Sequence, residues 1–359
     1  MSQSSFNWRD GERLIRFGPG VLAEAPELLE QRGFSLFALL TTRRALDDSP
    51  SARALADRAE TVLQVPPGGV PDASAAVRDG VDGRPLVALG GGRVIDSAKA
   101  IAGADRLDCA ALPTTLSGAP MTPFHRMPAG VEEWTLVRPS LVVAEPAVMA
   151  SLPFEPLAAT AMNALAHAVE ALYAPGANPV AEMAALRAAE LFDAGLPADP
   201  PDREAVSLGA LLGGYAVGVA GLAIHHATCQ TIVRLYGTPH AETNAVMLPR
   251  FVGAMAEQAP REIGLLAGAL GRGAGAGGAS ADAAGDPPSA AAVEADPTAA
   301  EKGVASLAAL SGVTTLGELG VGPEQISEIA TEVLAHPAAC NIPRPFAAPE
   351  LSALLEAAL

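Results

Sequence analysis

The chain has few aromatic residues and few cysteines. Phe, Trp and Tyr make up 4% of its 359 residues, so alanine, leucine and valine must fill the core of a chain that is 50% hydrophobic. The three cysteines lie far apart, at positions 109, 229 and 340. An odd number at such spacing favours a reducing compartment over a disulfide framework, and no CxxC or zinc-finger spacing is present.

Positive charge is also scarce. The 23 Lys and Arg residues are outnumbered by 40 Asp and Glu residues, which gives a net charge of −17. Such a polyanion repels nucleic acid and anionic membranes, so we expect neither as a partner. The sequence contains no run of about eighteen apolar residues, so we expect no transmembrane helix. The N-terminus lacks the apolar segment of a signal peptide, so we expect a cytoplasmic protein that acts on a small molecule.

The length suggests two domains. In the first part, short apolar runs alternate with helical patterns, which predicts a parallel sheet covered by helices. We therefore expect a Rossmann-like α/β dinucleotide-binding domain over residues 1–150. Strands are predicted at 34–42, 60–65, 85–92 and 109–115, and helices at 49–60, 71–81 and 93–104.

From residue 151 the sequence becomes rich in Ala and Leu at helical spacing, which predicts an all-helical domain over 151–359. Residues 271–300 consist mainly of Gly, Ala, Pro and Asp, and we interpret them as a flexible surface insertion. Their GAGAGG run matches the dinucleotide fingerprint only formally. No strand precedes it, so we reject it as a binding motif.

A triple glycine, Gly90, Gly91 and Gly92, separates a predicted strand from a predicted helix. Glycines let the backbone approach a ligand closely, and the free N–H groups of a helix N-terminus bind anions such as a pyrophosphate. Asp96 and Lys99 follow, and we place them on the first helical turn as further candidate cofactor-binding residues. The alternative interpretation is an ordinary tight turn between a strand and a helix.

A second polar segment, LPTTLSGAPMTPFHR, follows the strand predicted at 109–115. Thr114 and Thr115 lie where ligands bind in open α/β sheets, beyond the carboxyl ends of the strands. An ordinary Ser/Thr turn is the alternative. His125 adds a titratable group, and Arg126 could bind a substrate carboxylate in a bidentate manner or form a surface ion pair.

The helical half contains Asn163 and His167, which are one helical turn apart and so share a face. His226 and His240 lie on separate helical segments. A single histidine on an apolar helix is usually a core residue with satisfied hydrogen bonds. Three of them favour convergence on a metal ion or an anionic substrate.

These stretches, together with FGPGVL at 17–22, resemble the iron-containing (group III) alcohol dehydrogenase superfamily, including its maleylacetate reductase branch. The resemblance implies the dehydroquinate synthase-like architecture of an α/β domain and a helical domain, with the active site in the cleft between them. It further implies NAD(P)(H) as cofactor, the pyrophosphate on the glycine turn, and a homodimer. Thr114, Thr115 and Leu116 would lie near the adenine or the nicotinamide.

Members that use a metal hold a divalent ion such as iron or zinc at the positions of Asn163, His167, His226 and His240. The resemblance therefore implies His167, His226 and His240 as candidate metal ligands. Asn163 replaces the usual aspartate, and a neutral amide is a poor ligand for a transition metal. Maleylacetate reductases resemble this pattern and are thought not to need the metal, so both a metal site and a metal-free pocket remain open.

The end of the first predicted strand carries Thr42 in place of the aspartate that favours NAD, and Arg43 and Arg44 follow it. Loss of a carboxylate beside arginines would admit the 2′-phosphate of NADP(H). We therefore expect NADP(H) to be tolerated or preferred.

The leading hypothesis is an NAD(P)H-dependent reductase of a carbonyl compound or a 2-enoate keto acid. His226, His240 and His167, beside Asn163, would stabilise the oxyanion and supply its proton, and His125 and Arg126 would bind a substrate carboxylate. Two alternatives share the fold. A sugar-phosphate-cyclase-like lyase needs phosphate-binding cations in the helical half, where Lys302 is the only lysine after residue 150. A non-catalytic descendant should have lost its cofactor contacts.

Overall fold

The computed structural model describes residues 11–47, 50–273 and 295–359. The chain divides into two compact units, one spanning Arg9–Ser151 and the other built around Leu152–Leu359. The first unit contains a parallel sheet with helices, and the second is helical. This arrangement confirms the fold class predicted from the sequence.

The first unit is built on six parallel strands in the order β1-β6-β5-β4-β2-β3. The four inner strands are buried at every residue, as expected for strands that helices cover on both faces. The two edge strands expose part of their residues. The strands are β1 Leu14–Phe17, β2 Ala38–Thr41, β3 Thr61–Gln64, β4 Leu86–Gly90, β5 Cys109–Pro113 and β6 Leu141–Ala144.

Alternate residues of the inner strands enter two separate apolar clusters, one on each face of the sheet. Leu39 and Val87 belong to one cluster, while Leu40 and Ala88 belong to the other. This period of two places helices on both faces. The helices are α1 Ala25–Gln31, α2 Arg43–Asp47, α3 Pro50–Ala56, α4 Val70–Arg78, α5 Gly92–Asp105 and α6 Pro146–Met149.

The second unit contains nine described α-helices, and no strand occurs among the described residues from 152 onward. Its central helix, α7, is buried at fifteen of its twenty residues. It contacts α8, α9 and α11. The helices are α7 Phe154–Tyr173, α8 Pro179–Gly195, α9 Arg203–Ala220, α10 Ile224–Tyr236, α11 His240–Gln258, α12 Pro260–Gly273, α13 Thr298–Ala309, α14 Ile326–Leu334 and α15 Ala348–Glu356.

Helices extend into both ends of the segment predicted as an insertion at 271–300, because α12 continues to Gly273 and α13 begins at Thr298. Residues 274–294 lie outside the described residues. Within the described ranges, no single helix has the length and apolarity needed to cross a membrane. One bent pair, α9 with α10, meets the length and composition criteria when the two helices are taken together.

Candidate active site

The predicted glycine turn lies at the carboxyl edge of the sheet. Strand β4 ends at Gly90, Gly91 is the N-cap residue, and α5 begins at Gly92. No side chain caps this helix, and its first turn contains no acidic residue. Its first N–H groups therefore remain available to an anion, and the turn fits a dinucleotide pyrophosphate.

The segment after β5 packs against this turn. The Thr114 N–H donates to the carbonyl of Gly90 at 3.0 Å. A Cβ atom on Gly91 would lie 3.1 Å from Cγ2 of Thr115, and one on Gly92 would lie 2.7 Å from Oγ of Ser117. The sequence motifs of both strand ends thus meet, and their contact with a cofactor stays a prediction. Leu116 is fully buried.

Lys99 has a role that sequence reasoning missed. Its ammonium group is completely buried and donates to Oδ1 of Asp96 at 2.7 Å, the carbonyl of Ala119 at 3.0 Å and the carbonyl of Phe124 at 2.7 Å. These three bonds use all the donors of a lysine, so Lys99 ties α5 to the segment after β5. Because α5 begins at Gly92, Asp96 and Lys99 lie on its second turn and not on the first.

Thr42 follows β2, the strand that pairs with β4. Its hydroxyl accepts a hydrogen bond from the Ala45 N–H at 3.3 Å and thereby caps α2. Arg43 is exposed, with its Nε 3.9 Å from a carboxylate oxygen of Asp47. The carboxyl end of β2 therefore presents a hydroxyl and a solvent-exposed cation, which is compatible with the expected tolerance of a 2′-phosphate.

His125 and Arg126 have different environments. His125 is buried, its Nε2 accepts the Val137 N–H at 3.2 Å, and its Nδ1 lies 3.3 Å from the carbonyl of Arg126. Burial lowers the pKa of His125. Both ring nitrogens contact backbone groups, so the His125 ring offers no free nitrogen to a substrate. Arg126 is exposed to solvent.

In the second unit, two of the predicted histidines lie in direct contact. The rings of His167 on α7 and His226 on α10 are stacked, with centroids 4.4 Å apart and planes 5° from parallel. Oδ1 of Asn163, Nδ1 of His167 and Nε2 of His226 are buried and have no hydrogen-bond partner among the described residues. Unpaired buried polar atoms are costly, so these three atoms are candidates to contact a polar ligand.

Glu170, which sequence reasoning missed, holds His226 in place. One carboxylate oxygen lies 2.7 Å from Nδ1 of His226, and the other accepts the backbone N–H of the same residue at 3.0 Å. The Glu170 side chain is completely buried, and burial raises its pKa. Glu170 is the only charged residue of α7 after Glu155. A charge in such an apolar helix was the signal that could have identified it.

Burial keeps the histidines neutral. Burial, followed by the neighbouring His240, lowers the pKa of His226 to about 3. Burial, followed by the neighbouring His226, lowers the pKa of His167 well below its usual range. His240, the first residue of α11, keeps an exposed surface, yet the protein atoms packed around its ring still lower its pKa.

His225 is a further histidine that the sequence analysis did not select. It is fully buried, and its ring packs edge-on against His226, with 5.1 Å between centroids, and against Phe251 at 5.5 Å. Burial lowers its pKa to about 3. Its edge-on contact restrains the position of the His226 ring.

The predicted metal ligands His167, His226 and His240 do not fit a shared ion in this arrangement. The lone pair of an imidazole nitrogen lies in the ring plane, so two parallel stacked rings cannot both direct lone pairs at one ion. By distance, one group among the described residues could hold a metal, namely Glu170, His225 and His226. In that group Glu170 and Nδ1 of His226 already share a hydrogen bond. We therefore derive no step through a metal.

Comparisons with known proteins agree with this architecture. Residues 157–359 match the model of the Fe-containing alcohol dehydrogenase family, C-terminal. Maleylacetate reductase 2 of Cupriavidus pinatubonensis is 37% identical over 220 residues. That alignment covers 58% of this chain and 61% of the relative, so it spans under two thirds of the relative's length.

Solved structures match the whole fold. The crystal structure of maleylacetate reductase from Agrobacterium tumefaciens is 30% identical, with a TM-score of 0.79, and the match covers 99% of this chain and 98% of that one. A sulfoacetaldehyde reductase from Bifidobacterium kashiwanohense, solved with NAD+, has a TM-score of 0.80 over 99% of both chains. At 22% identity, the latter shows a shared fold alone.

The first unit has an α/β fold with a glycine turn, and the second unit is helical with buried imidazoles. Together with these matches, the two units define an NAD(P)-dependent oxidoreductase. The chain belongs to the Fe-containing alcohol dehydrogenase family.

Proposed function

We propose that this chain uses NAD(P)H to reduce a small carbonyl compound or 2-enoate keto acid of the maleylacetate type. The observation that carries the proposal is the His226 ring, which is stacked on His167 and whose buried Nε2 has no partner among the described residues. The amide oxygen of Asn163, on the same helix face as His167, is likewise buried without a partner. The maleylacetate reductases among the relatives support the substrate class. A homodimer and a cytoplasmic location belong to the same proposal.

The chemistry requires a proton and a polar environment for a developing oxyanion. Bound NAD(P)H supplies the hydride. Addition to a carbonyl leaves negative charge on its oxygen, and addition to a conjugated double bond leaves it on an enolate oxygen. Preorganised polar groups that stabilise such charge contribute much of the catalysis in enzymes of this kind.

His226 is the proposed proton donor. Its pKa of about 3 means that the resting ring is neutral, and an anionic substrate beside it favours the protonated form. Nε2–H then donates to the substrate oxygen, while Nδ1 stays bonded to Glu170. His240, which solvent reaches, would return the proton, and the amide of Asn163 would orient the substrate.

In the first unit, the N–H groups at the start of α5 would bind the pyrophosphate, and the hydroxyls of Thr114 and Thr115 would contact the nucleotide. Lys99 and Asp96 would hold this turn in place. The exposed guanidinium of Arg126 is the proposed partner of a substrate carboxylate. Arg126→Ala should then raise the KM for a dicarboxylate substrate and leave the affinity for the cofactor unchanged.

The test is the loss of NADH and NADPH absorbance on addition of maleylacetate and a panel of small carbonyl compounds, with and without EDTA. We expect turnover with at least one of these substrates and no loss of rate with EDTA. Cofactor binding without net oxidation would favour a cyclase-like lyase. Failure to enhance NAD(P)H fluorescence would favour a non-catalytic descendant, and either result contradicts the proposal.

A further inference from the structure

We propose that Glu170 is a positioning residue that fixes His226 in the tautomer protonated on Nδ1 and so reserves Nε2 for the substrate. The catalytic consequence rests on the proposed function, whereas the tautomer can be tested without any substrate. Glu170 lies outside the set of residues that the sequence and the family resemblance indicated.

The geometry restrains both the ring and the backbone of one residue. One oxygen of Glu170 lies 2.7 Å from Nδ1 of His226, and the other lies 3.0 Å from its backbone nitrogen. The Glu170 side chain has no exposure, so no water competes for these two contacts. A carboxylate bonded at both oxygens to one residue fixes the orientation of the ring as well as its position.

Glu170 also completes the start of α10. The N-cap residue of this helix is Ala223, whose side chain cannot accept a hydrogen bond. His226 is the third residue of α10, so its N–H is one of the donors that a helix leaves unpaired. Glu170 accepts this bond from another helix and places an acceptor at the positive end of the α10 dipole.

The tautomer follows from the chemistry of a carboxylate. An ionised carboxylate only accepts hydrogen bonds, so Nδ1 of His226 must donate, and the neutral ring carries its lone pair on Nε2. Nε2 is the buried atom that lacks a protein partner. Burial raises the pKa of Glu170, and the backbone N–H of His226 is among the groups that oppose this effect.

Glu170→Gln is the sharpest variant because it keeps shape and removes one acceptor. The amide oxygen can still accept the backbone N–H of His226, but the amide NH2 then faces Nδ1. The ring satisfies that donor by moving its proton to Nε2. We therefore expect the variant to invert the His226 tautomer, which an effect on folding alone would not produce.

The experiment records long-range proton–nitrogen correlations of nitrogen-15-labelled histidine, assigned with His226→Asn, in the full-length protein. We expect Nδ1–H in the wild type and Nε2–H in Glu170→Gln. With substrate, kcat should fall about 10- to 100-fold while NADPH affinity measured by fluorescence is unchanged. Glu170→Asp, which retains the carboxylate, should keep the wild-type tautomer and recover part of kcat.

Glu145→Gln is the matched control. Glu145 is also buried, and its two oxygens accept the backbone N–H groups of Gly20 and Leu22 at 2.9 and 3.2 Å in the other unit. This control should lose stability and leave the His226 tautomer unchanged. A wild-type His226 protonated on Nε2, or a Glu170→Gln variant with wild-type tautomer or turnover, overturns the proposal. A wild type with the expected tautomer but no reductase activity would support the positioning and contradict the proposed function.

Discussion

Asn163 and Thr42 each stand where the family resemblance leads us to expect a carboxylate. Asn163 shares a helix face with His167. Because its amide is neutral, it attracts a divalent cation less strongly than a carboxylate would. Thr42 follows β2 and precedes the exposed Arg43, so the missing carboxylate removes a repulsion toward a cofactor phosphate. Both substitutions reduce negative charge at a place where an anion would bind.

The choice of cofactor can be tested at Thr42. Thr42→Asp restores a carboxylate that bonds the ribose hydroxyl and repels a 2′-phosphate. We expect the ratio of kcat/KM for NADPH to that for NADH to fall at least about tenfold, which corresponds to about 1.4 kcal/mol. Aspartate also caps helices well, so α2 should be retained.

Thr42→Ser is the control, because it keeps the hydroxyl that accepts the Ala45 N–H. Its cofactor ratio should equal that of the wild type. A tight preference for NADH in the wild type, or an unchanged ratio in Thr42→Asp, would show that the end of β2 does not select the cofactor.

At the scale of elements, the start of α5 depends on close packing against the segment after β5. A Cβ on Gly92 would lie 2.7 Å from Oγ and 3.3 Å from Cβ of Ser117. The hydroxyl cannot rotate away freely, because it accepts the Ala119 N–H at 3.0 Å. Gly92 is therefore required by its neighbours as well as by its place in the turn.

Gly92→Ala should separate this segment from the turn and weaken NAD(P)H binding several-fold, measured by cofactor fluorescence. Ser117→Gly removes the two contacting atoms, so the double variant should bind more tightly than Gly92→Ala alone. Ser117→Gly by itself measures how far the loss of this side chain alone changes cofactor affinity. If Gly92→Ala binds the cofactor as the wild type does, the turn is not the pyrophosphate site.

The sequence predicted the inner strands β2, β4 and β5 because each is a continuous apolar run followed by small or polar residues. It missed β1 and β6, four residues each, which are too short for a periodic signal. The helix predicted at 49–60 corresponds to α3, which begins at Pro50, a residue suited to the first turn of a helix, and ends at Ala56. The short helix α2, Arg43–Asp47, precedes it and was not predicted.

The candidate site was predictable where one element determines it and not where distant elements meet. The glycine turn and the hydroxyls after β5 follow from the rule that ligands bind at strand carboxyl ends. The burial of Lys99 and His125 depends on backbone carbonyls and N–H groups that only the folded chain brings near. The pairing of Glu170 with His226 joins residues 56 positions apart, which no local pattern reveals.

For the whole molecule, the buried neutral histidines couple stability to pH. Burial lowers the pKa of His225 to about 3, whereas an unfolded histidine titrates near about 6.5. The unfolded chain therefore binds a proton that the folded protein does not, and stability falls as the pH drops through this window. Burial raises the pKa of Glu170, so the folded protein retains a proton that the unfolded chain has lost. This contribution lowers stability as the pH rises above the usual carboxylate range.

His225→Phe isolates this effect, because His225 packs beside Phe251 in an aromatic environment. The free energy of unfolding of the variant should fall less steeply than that of the wild type below about pH 6.5, by about 1.4 kcal/mol per pH unit. Denaturant titrations between about pH 5 and 7 measure the difference. Parallel curves for the two proteins would mean that His225 is protonated in the folded state.

In the proposed reaction, NADPH supplies the hydride and His226 supplies the proton. The most direct test is NADPH oxidation by His226→Asn, with NADPH affinity measured on the same sample. We predict wild-type affinity for NADPH and a loss of at least about 100-fold in kcat, as expected for removal of a general acid. Wild-type turnover in a variant that binds NADPH normally would contradict the assignment of His226 to the reaction.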